Sequence, residues 1–228
     1  MCGRFTLKTP PDQWTQLLLP IVDLSAIQAE WQPRYNIAPT QDILALARVG
    51  DDRPSVSAQY FRWGLVPFWA NDLSIGNRMI NARSETLSEK RSFATPLKKR
   101  RCLIVADGYY EWQKTGSKTK QPYWITPRVG GVIQFAGLWE RNTRLDATPV
   151  LSCTIITTPA ANALAEIHDR MPAVLTGPAA EQWMDPECTA EEAASLLGPT
   201  DDDFFQTQKV STHVNNARHE DPQCIEAG

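Results

Sequence analysis

Residues 102–113 read Cys102-Leu103-Ile104-Val105-Ala106-Asp107-Gly108-Tyr109-Tyr110-Glu111-Trp112-Gln113. Two runs of β-branched and aromatic residues flank a turn dipeptide, the pattern of two strands with no helix between them. Runs of the same kind occur at Ile43 to Arg48, Ser57 to Trp63, Tyr123 to Thr126, Val132 to Leu138 and Val150 to Thr157. Regular helices do not alternate with these strands, which excludes a doubly wound parallel sheet. The expectation is an α+β fold built on a mainly antiparallel, barrel-like sheet with a few short flanking helices. Helix signals lie at residues 10–19 after Pro10-Pro11-Asp12, at Ala160 to Ile167, after Thr176, and after Thr189 with Gly198 as a stop.

The chain has 228 residues, 42% hydrophobic and 21% charged, which excludes a disordered protein. Its 17 prolines are scattered and nothing repeats, so residues 1–228 read as one domain. The longest apolar run, Leu17 to Val22, is too short to cross a bilayer, and no basic segment leads into a hydrophobic one at the start. Five cysteines, at 2, 102, 153, 188 and 224, form no CxxC pair. A reducing, cytoplasmic location follows as an expectation. His213 and His219 make no ligand spacing with a cysteine pair, so no metal is expected. Net charge is −3, which does not invite a nucleic-acid partner and does not exclude a local basic patch. The basic residues at 97–101 and 114–120 read as solvated surface.

Candidate chemistry starts at Cys2. Removal of Met1 would leave an α-amine and a thiol on adjacent carbons. An α-amine with a pKa near ~7.8 is about one-third unprotonated near pH 7.5, against roughly one-thousandth of lysines. A 1,2-aminothiol condenses with an aldehyde to a Schiff base, and its thiol then closes a five-membered thiazolidine. By itself Met1-Cys2 also reads as an inert terminus. Strand alternation puts Glu111 on one face with Tyr109 and Gln113, and Tyr110 with Trp112 on the other. A carboxyl among aromatics is a candidate proton shuttle; a solvent-facing strand glutamate is the plainer alternative. His168 has charged neighbours in Asp169 and Arg170 that can orient its ring, or it is a capping histidine. If residues 80–86 are extended, Asn81, Arg83 and Glu85 share a side, with Arg83 suited to a phosphate. Trp63 to Trp69 form a Gly/Pro-bent aromatic loop, material for stacking on single-stranded nucleic acid or for a core.

The order of these blocks carries a resemblance. Met1-Cys2-Gly3-Arg4-Phe5, Arg34-Tyr35-Asn36-Ile37-Ala38-Pro39, Trp63 to Trp69, Ile80 to Thr86, Ala106 to Trp112, Ile167 to Pro172 and, more weakly, Val210 to Asn216 resemble the SRAP family (SOS response-associated peptidase-like, abasic-site-processing proteins). The resemblance implies a protein that senses abasic sites in single-stranded DNA, including single-strand/double-strand junctions, and crosslinks itself to them. Cys2, Asn81, Glu111 and His168 match the catalytic residues. Arg4, Arg83, Trp69, Pro39 and Ser84 match the DNA-binding ones, with Arg4 and Arg83 on phosphates and Trp69 against bent DNA. Lys98 to Arg101 are expected to converge with them on one face. It further implies lyase-like Schiff-base chemistry, self-processing at Met1, no cofactor, a bacterial monomer and association with the nucleoid.

Three alternatives stay open at this stage. A class II glutamine amidotransferase also starts Met-Cys-Gly, but this chain has no Asn-Gly dipeptide and its lone Gly-Asp is Gly50-Asp51. A cysteine peptidase would use Cys2, Glu111 and His168. A plain single-strand DNA-binding module would be indifferent to Cys2→Ser.

Overall fold

A computed structural model of the chain describes residues 2–14, 22, 24, 27, 31–50, 55–116 and 119–228. Strands β1 (Phe5–Leu7), β2 (Arg34–Ile37), β3 (Asp42–Ala47), β4 (Ser57–Trp63), β5 (Asn81–Arg83), β6 (Arg101–Ala106), β7 (Gly108–Gln113), β8 (Gln121–Pro127), β9 (Ile133–Asn142), β10 (Val150–Pro159), β11 (Arg170–Pro172) and β12 (Phe205–Lys209) form two sheets. In one, β10, β4, β3, β6 and β9 pair in turn, and β9 pairs back to β10 to close a five-stranded barrel. The β10–β4 pairing is parallel and the other four antiparallel, so the expected barrel-like, mainly antiparallel sheet is what forms. The second sheet runs β12-β8-β7-β1-β2. Phe5, Tyr109, Ile125 and Phe205 of that sheet pack with Phe135, Ile104 and Trp63 of the barrel in a shared core. Edge-to-face contacts of Phe5 with Trp63 and of Tyr109 with Phe135 join the layers.

Long apolar strands were legible and short ones were not. β1, β2, β5, β11 and β12 have three to five residues, too few for a period-2 signal. Helices α1 (Arg91–Lys99), α2 (Asn162–Ala165), α3 (Gly177–Met184) and α4 (Ala190–Ser195) surround the sheets. The signals after Thr176 and Thr189 correspond to α3 and α4, and Thr189 forms a full capping box with Glu192. The segment expected to be helical from 160 to 167 is α2, one turn long. Of residues 10–19, Pro11–Gln13 form a 3₁₀ turn and the part beyond Trp14 lies outside the described residues. α1 escaped the sequence reading because Pro96 lies inside it, a position that removes a helix hydrogen bond.

The chain crosses from the barrel to the second sheet at Asp107, between β6 and β7. Asp107 is buried, and its oxygens accept from Thr6 Oγ1 (2.5 Å), the Lys8 and Thr9 backbone N–H groups (2.6 and 2.7 Å) and Thr9 Oγ1 (2.8 Å). Those bonds fasten β1 and the residues after it against the barrel. Removing the carboxylate takes the acceptor from the buried Thr6 hydroxyl and from the partly buried Lys8 and Thr9 donors, which water can reach, at a cost of about 3 kcal/mol in all. Asp107→Ala is expected to lower the thermal midpoint by about 6–12 °C, and Asp107→Asn by less, in calorimetric melts.

Candidate active site

Register carries the amino terminus to the chemistry. β1 pairs antiparallel with β7, Phe5 opposite Tyr109 and Thr6 opposite Gly108, and the Tyr110 N–H donates to Arg4 O at 3.0 Å. The residues preceding β1 therefore run toward Glu111. Cys2 is wholly buried, with Sγ 3.8 Å from Arg4 O. Burial, and secondarily the Glu111 charge, push its thiol well above the ordinary range. The thiol is thus protonated at neutral pH.

The second contributor comes from the barrel. β5 runs parallel to β10 with Asn81 opposite Ile155. Asn81 Nδ2 donates to Cys2 O at 2.7 Å, fixing the terminal residue. Asn81 Oδ1 is buried and has no hydrogen-bond partner among the described residues. The other edge of β10 pairs with β11, Pro159 opposite Arg170, which brings the His168 loop to the same strand end. Gln113 Nε2 donates to Glu166 O at 3.0 Å, tying that loop to β7.

Glu111 and His168 meet there, with Oε2 and Nε2 3.9 Å apart. The Glu111 side chain is 3% exposed. Burial raises its pKa to about 7, against the opposing pull of the positive charge at the chain's amino end and of the Trp112 backbone. Burial also lowers the His168 pKa, again helped by that amino-terminal charge. The Arg170 N–H donates to His168 Nδ1 at 3.0 Å, so in the neutral ring the proton sits on Nε2, facing Glu111. Asp169 Oδ1, 2.9 Å from Nδ1, is the acceptor ready for the imidazolium. Tyr109 lies on the face of Glu111 and Tyr110 on the opposite one with Trp112, as alternation required.

Other expectations change. Residues 80–86 are not extended throughout: β5 stops at Arg83, and Ser84–Thr86 turn as a 3₁₀ segment. Glu85 therefore leaves the Asn81 side and takes both Nη atoms of Arg170, whose hydrogen bonds draw its carboxyl down to about 2. Arg83 is exposed and Ser84 half-buried. Arg4 donates through Nη1 to Asn36 Oδ1 (2.9 Å) and Val214 O (3.0 Å). Trp69 is partly exposed with the Arg91 guanidinium 5.5 Å above its ring, and Pro39 is half-buried beside Thr40, which has φ 73°. Gly64 bends the aromatic loop at φ +124°, where a Cβ would lie 2.6 Å from Gly76 O.

The basic run 97–101 is not one face. Lys98 and Lys99 are exposed and Arg100 pairs with Glu140 at 3.0 Å. Arg101 is buried, donating to Trp183 O, Leu97 O and Asp185 O. It serves the fold and offers nothing to a phosphate. Sequence reasoning missed Asn36 and Glu220 as supports. Asn36 is wholly buried, and Glu220 accepts from the Tyr35 and Asn36 N–H groups at 2.7 and 2.8 Å. Their partners are nearly 180 residues away, so no local signal could find them. His213, Asp221 and Cys224, which the sequence spacing did not single out, bring a nitrogen, an oxygen and a sulfur within 4.8 Å of one another. Among the described residues no helix is long and apolar enough to cross a membrane.

A model of the SOS response associated peptidase (SRAP) family matches residues 1–217. The abasic site processing protein YoqW of Bacillus subtilis is 41% identical over 228 residues, spanning all of both chains. The abasic site processing protein HMCES of Pongo abelii is 32% identical over 270 residues, covering 99% of this chain and 75% of that one. A crystal structure of a Bacteroides thetaiotaomicron protein superposes with a TM-score of 0.84 at 25% identity, covering both chains completely. From the barrel, the site at its rim and these matches together, the chain belongs to the SOS response associated peptidase (SRAP) family.

Proposed function

We propose that this protein processes abasic sites in single-stranded DNA by forming a covalent thiazolidine through Cys2, exposed by loss of Met1. The observation that carries this reading is the meeting of Cys2, Asn81, Glu111 and His168 in one cluster, with Cys2 and Glu111 buried and His168 open to one side. Curated relatives named as abasic site processing proteins support the choice of substrate.

An abasic deoxyribose equilibrates with a ring-opened aldehyde at C1′. The Cys2 amine adds to that carbon and the carbinolamine loses water to give a Schiff base. The thiol then adds to the same carbon, its proton passing to nitrogen, so one water leaves overall. Glu111, with its pKa near 7, is protonated in enough molecules to assist the departing hydroxyl and ionised in enough to accept the thiol proton. The imidazolium form of His168, its Nδ1–H held by Asp169, gives its Nε2 proton to the sugar ring oxygen as it opens and is left as the neutral ring. Asn81 holds the Cys2 backbone and presents Oδ1 toward the amine or the sugar. Arg4, Arg83, Ser84, Pro39 and Trp69 bind the strand. The raised thiol pKa favours an amine-first reaction over the thiolate-first chemistry of a peptidase or amidotransferase.

The direct test is a denaturing gel of the protein with a single-stranded oligonucleotide carrying one abasic site. A shifted band is expected that requires the site and disappears with Cys2→Ser. Its absence from protein lacking Met1 by mass would overturn the reading.

Glu111 also sets a pH dependence of stability. Its folded pKa of about 7 lies above the ordinary 4.5, so between those values the folded chain holds a proton that the unfolded chain has released. Stability from this group is present below pH 4.5 and lost as pH rises through 7, about 3 kcal/mol in all. Glu111→Gln is expected to melt well above wild type at pH 8 and near it at pH 4.5, while crosslinking at pH 7 slows by roughly 100-fold or more. Equal melting differences at the two pH values would count against the raised pKa.

A further inference from the structure

The last segment of the chain carries a set of donors that no step above uses. Thr212–Asn215 and Pro222–Ile225 are 3₁₀ turns packed together. They bring a His213 ring nitrogen, an Asp221 oxygen and the Cys224 sulfur within 4.8 Å of one another. His213 Nε2 faces both Asp221 oxygens, at 3.2 and 3.1 Å. Those two side chains are 25% and 44% exposed, so an ion can enter beside them. Cys224 is wholly buried behind them, in a small core with Tyr110, Val210 and Val214.

Each donor is held in place by its own partners. Asp221 caps the second turn, its Oδ1 accepting from the Gln223 N–H at 2.9 Å. The His219 ring stacks on His213 with centroids 3.8 Å apart, and its Nδ1 lies 2.8 Å from the His213 carbonyl. The Cys224 thiol donates to His219 O at 3.5 Å. Imidazole, carboxylate and thiolate together suit zinc, whereas magnesium and calcium take oxygen donors. Tetrahedral zinc with such ligands sets its donor atoms roughly 3.3–3.8 Å apart, so this set closes on the ion with about 1 Å of movement. The expectation of no metal looked for a cysteine pair, and this set needs only one cysteine.

We propose that His213, Asp221 and Cys224 form a zinc site, with water in the fourth position, that fastens the last segment of the chain. Binding releases the Cys224 thiol proton to solvent, and the thiolate and carboxylate then balance the charge of the ion. Val214, one residue after His213, offers its carbonyl to Arg4 and Asn36. A zinc-bound segment therefore holds that support in place. The inference stands apart from the chemistry at Cys2.

The test uses the full-length protein, freed of metal by a chelator under reducing conditions and titrated with zinc, or with cobalt(II) as its coloured substitute. One equivalent of zinc should bind. At about a hundredfold excess over the dissociation constant, it should raise the thermal midpoint by roughly 5–10 °C. The cobalt form should show a thiolate charge-transfer band in the near ultraviolet. Cys224→Ser is expected to lose that band and to weaken zinc binding by roughly 100-fold or more. Asp221→Asn keeps an oxygen for the Gln223 cap, so it should melt near wild type without metal and lose most of the zinc-induced rise. Cys2→Ser is the control, because a terminal aminothiol can itself chelate zinc; the band should persist in it. A band that vanishes with Cys2→Ser and survives Cys224→Ser would move the metal to the terminus and overturn the site. Folded wild type with neither a thiolate band nor a zinc-dependent rise would overturn it as well.

Discussion

Asp107 stands where the chain leaves the barrel for the second sheet, and its carboxylate gathers donors from Thr6, Lys8 and Thr9. The first residues of a chain are ordinarily its least ordered, because a terminus has neighbours on one side only. Here a buried anion with multiple charge-assisted hydrogen bonds supplies order at that end. With β1 pinned, register alone brings Cys2 to Glu111, and β5 and β11, both paired to β10, bring Asn81 and His168 to meet them.

Burial is what tunes this cluster. It pushes the Cys2 thiol up, raises the Glu111 carboxyl to about 7 and lowers His168, so all three groups are held toward their neutral forms. Neutral groups exchange protons without large solvent rearrangement, and a carboxyl near neutrality can act in either direction. The same desolvation is a stability cost at pH above 7, of the kind active sites commonly impose on their folds. A surface cluster of the same residue types would keep ordinary pKa values and lack this behaviour.

A second constraint joins the two ends of the chain. Asn36, wholly buried, accepts from Arg4 and donates to the Val214, Asn216 and His219 carbonyls. Glu220 closes the arrangement on the Tyr35 and Asn36 N–H groups and on Arg34. The orientation of Arg4 therefore depends on the last segment of the sequence. A similar contrast separates two arginines near in sequence to exposed lysines: Arg100 pairs with Glu140, and Arg101 is consumed by three backbone carbonyls inside the fold.

The strand identities of β3, β4 and β6 to β10, the position of α3 and the capped start of α4 were set locally, by β-branched runs, by the Thr176-Gly177-Pro178 start and by Thr189. Cys2, Glu111, His168 and Asn81 were legible as candidates, because their residue types and the order of their blocks are properties of the sequence. The tertiary structure alone decided the short strands that deliver them, which are stabilised by partners far along the chain. It decided that Glu85 turns to Arg170, because β5 ends at Arg83 and the chain bends. It decided that Arg101 faces inward, that Asn36 and Glu220 support Arg4, and that Glu111 is dry enough to titrate near neutrality. Each of these depends on burial and on pairing between distant residues, and neither quantity is a property of a local stretch of sequence.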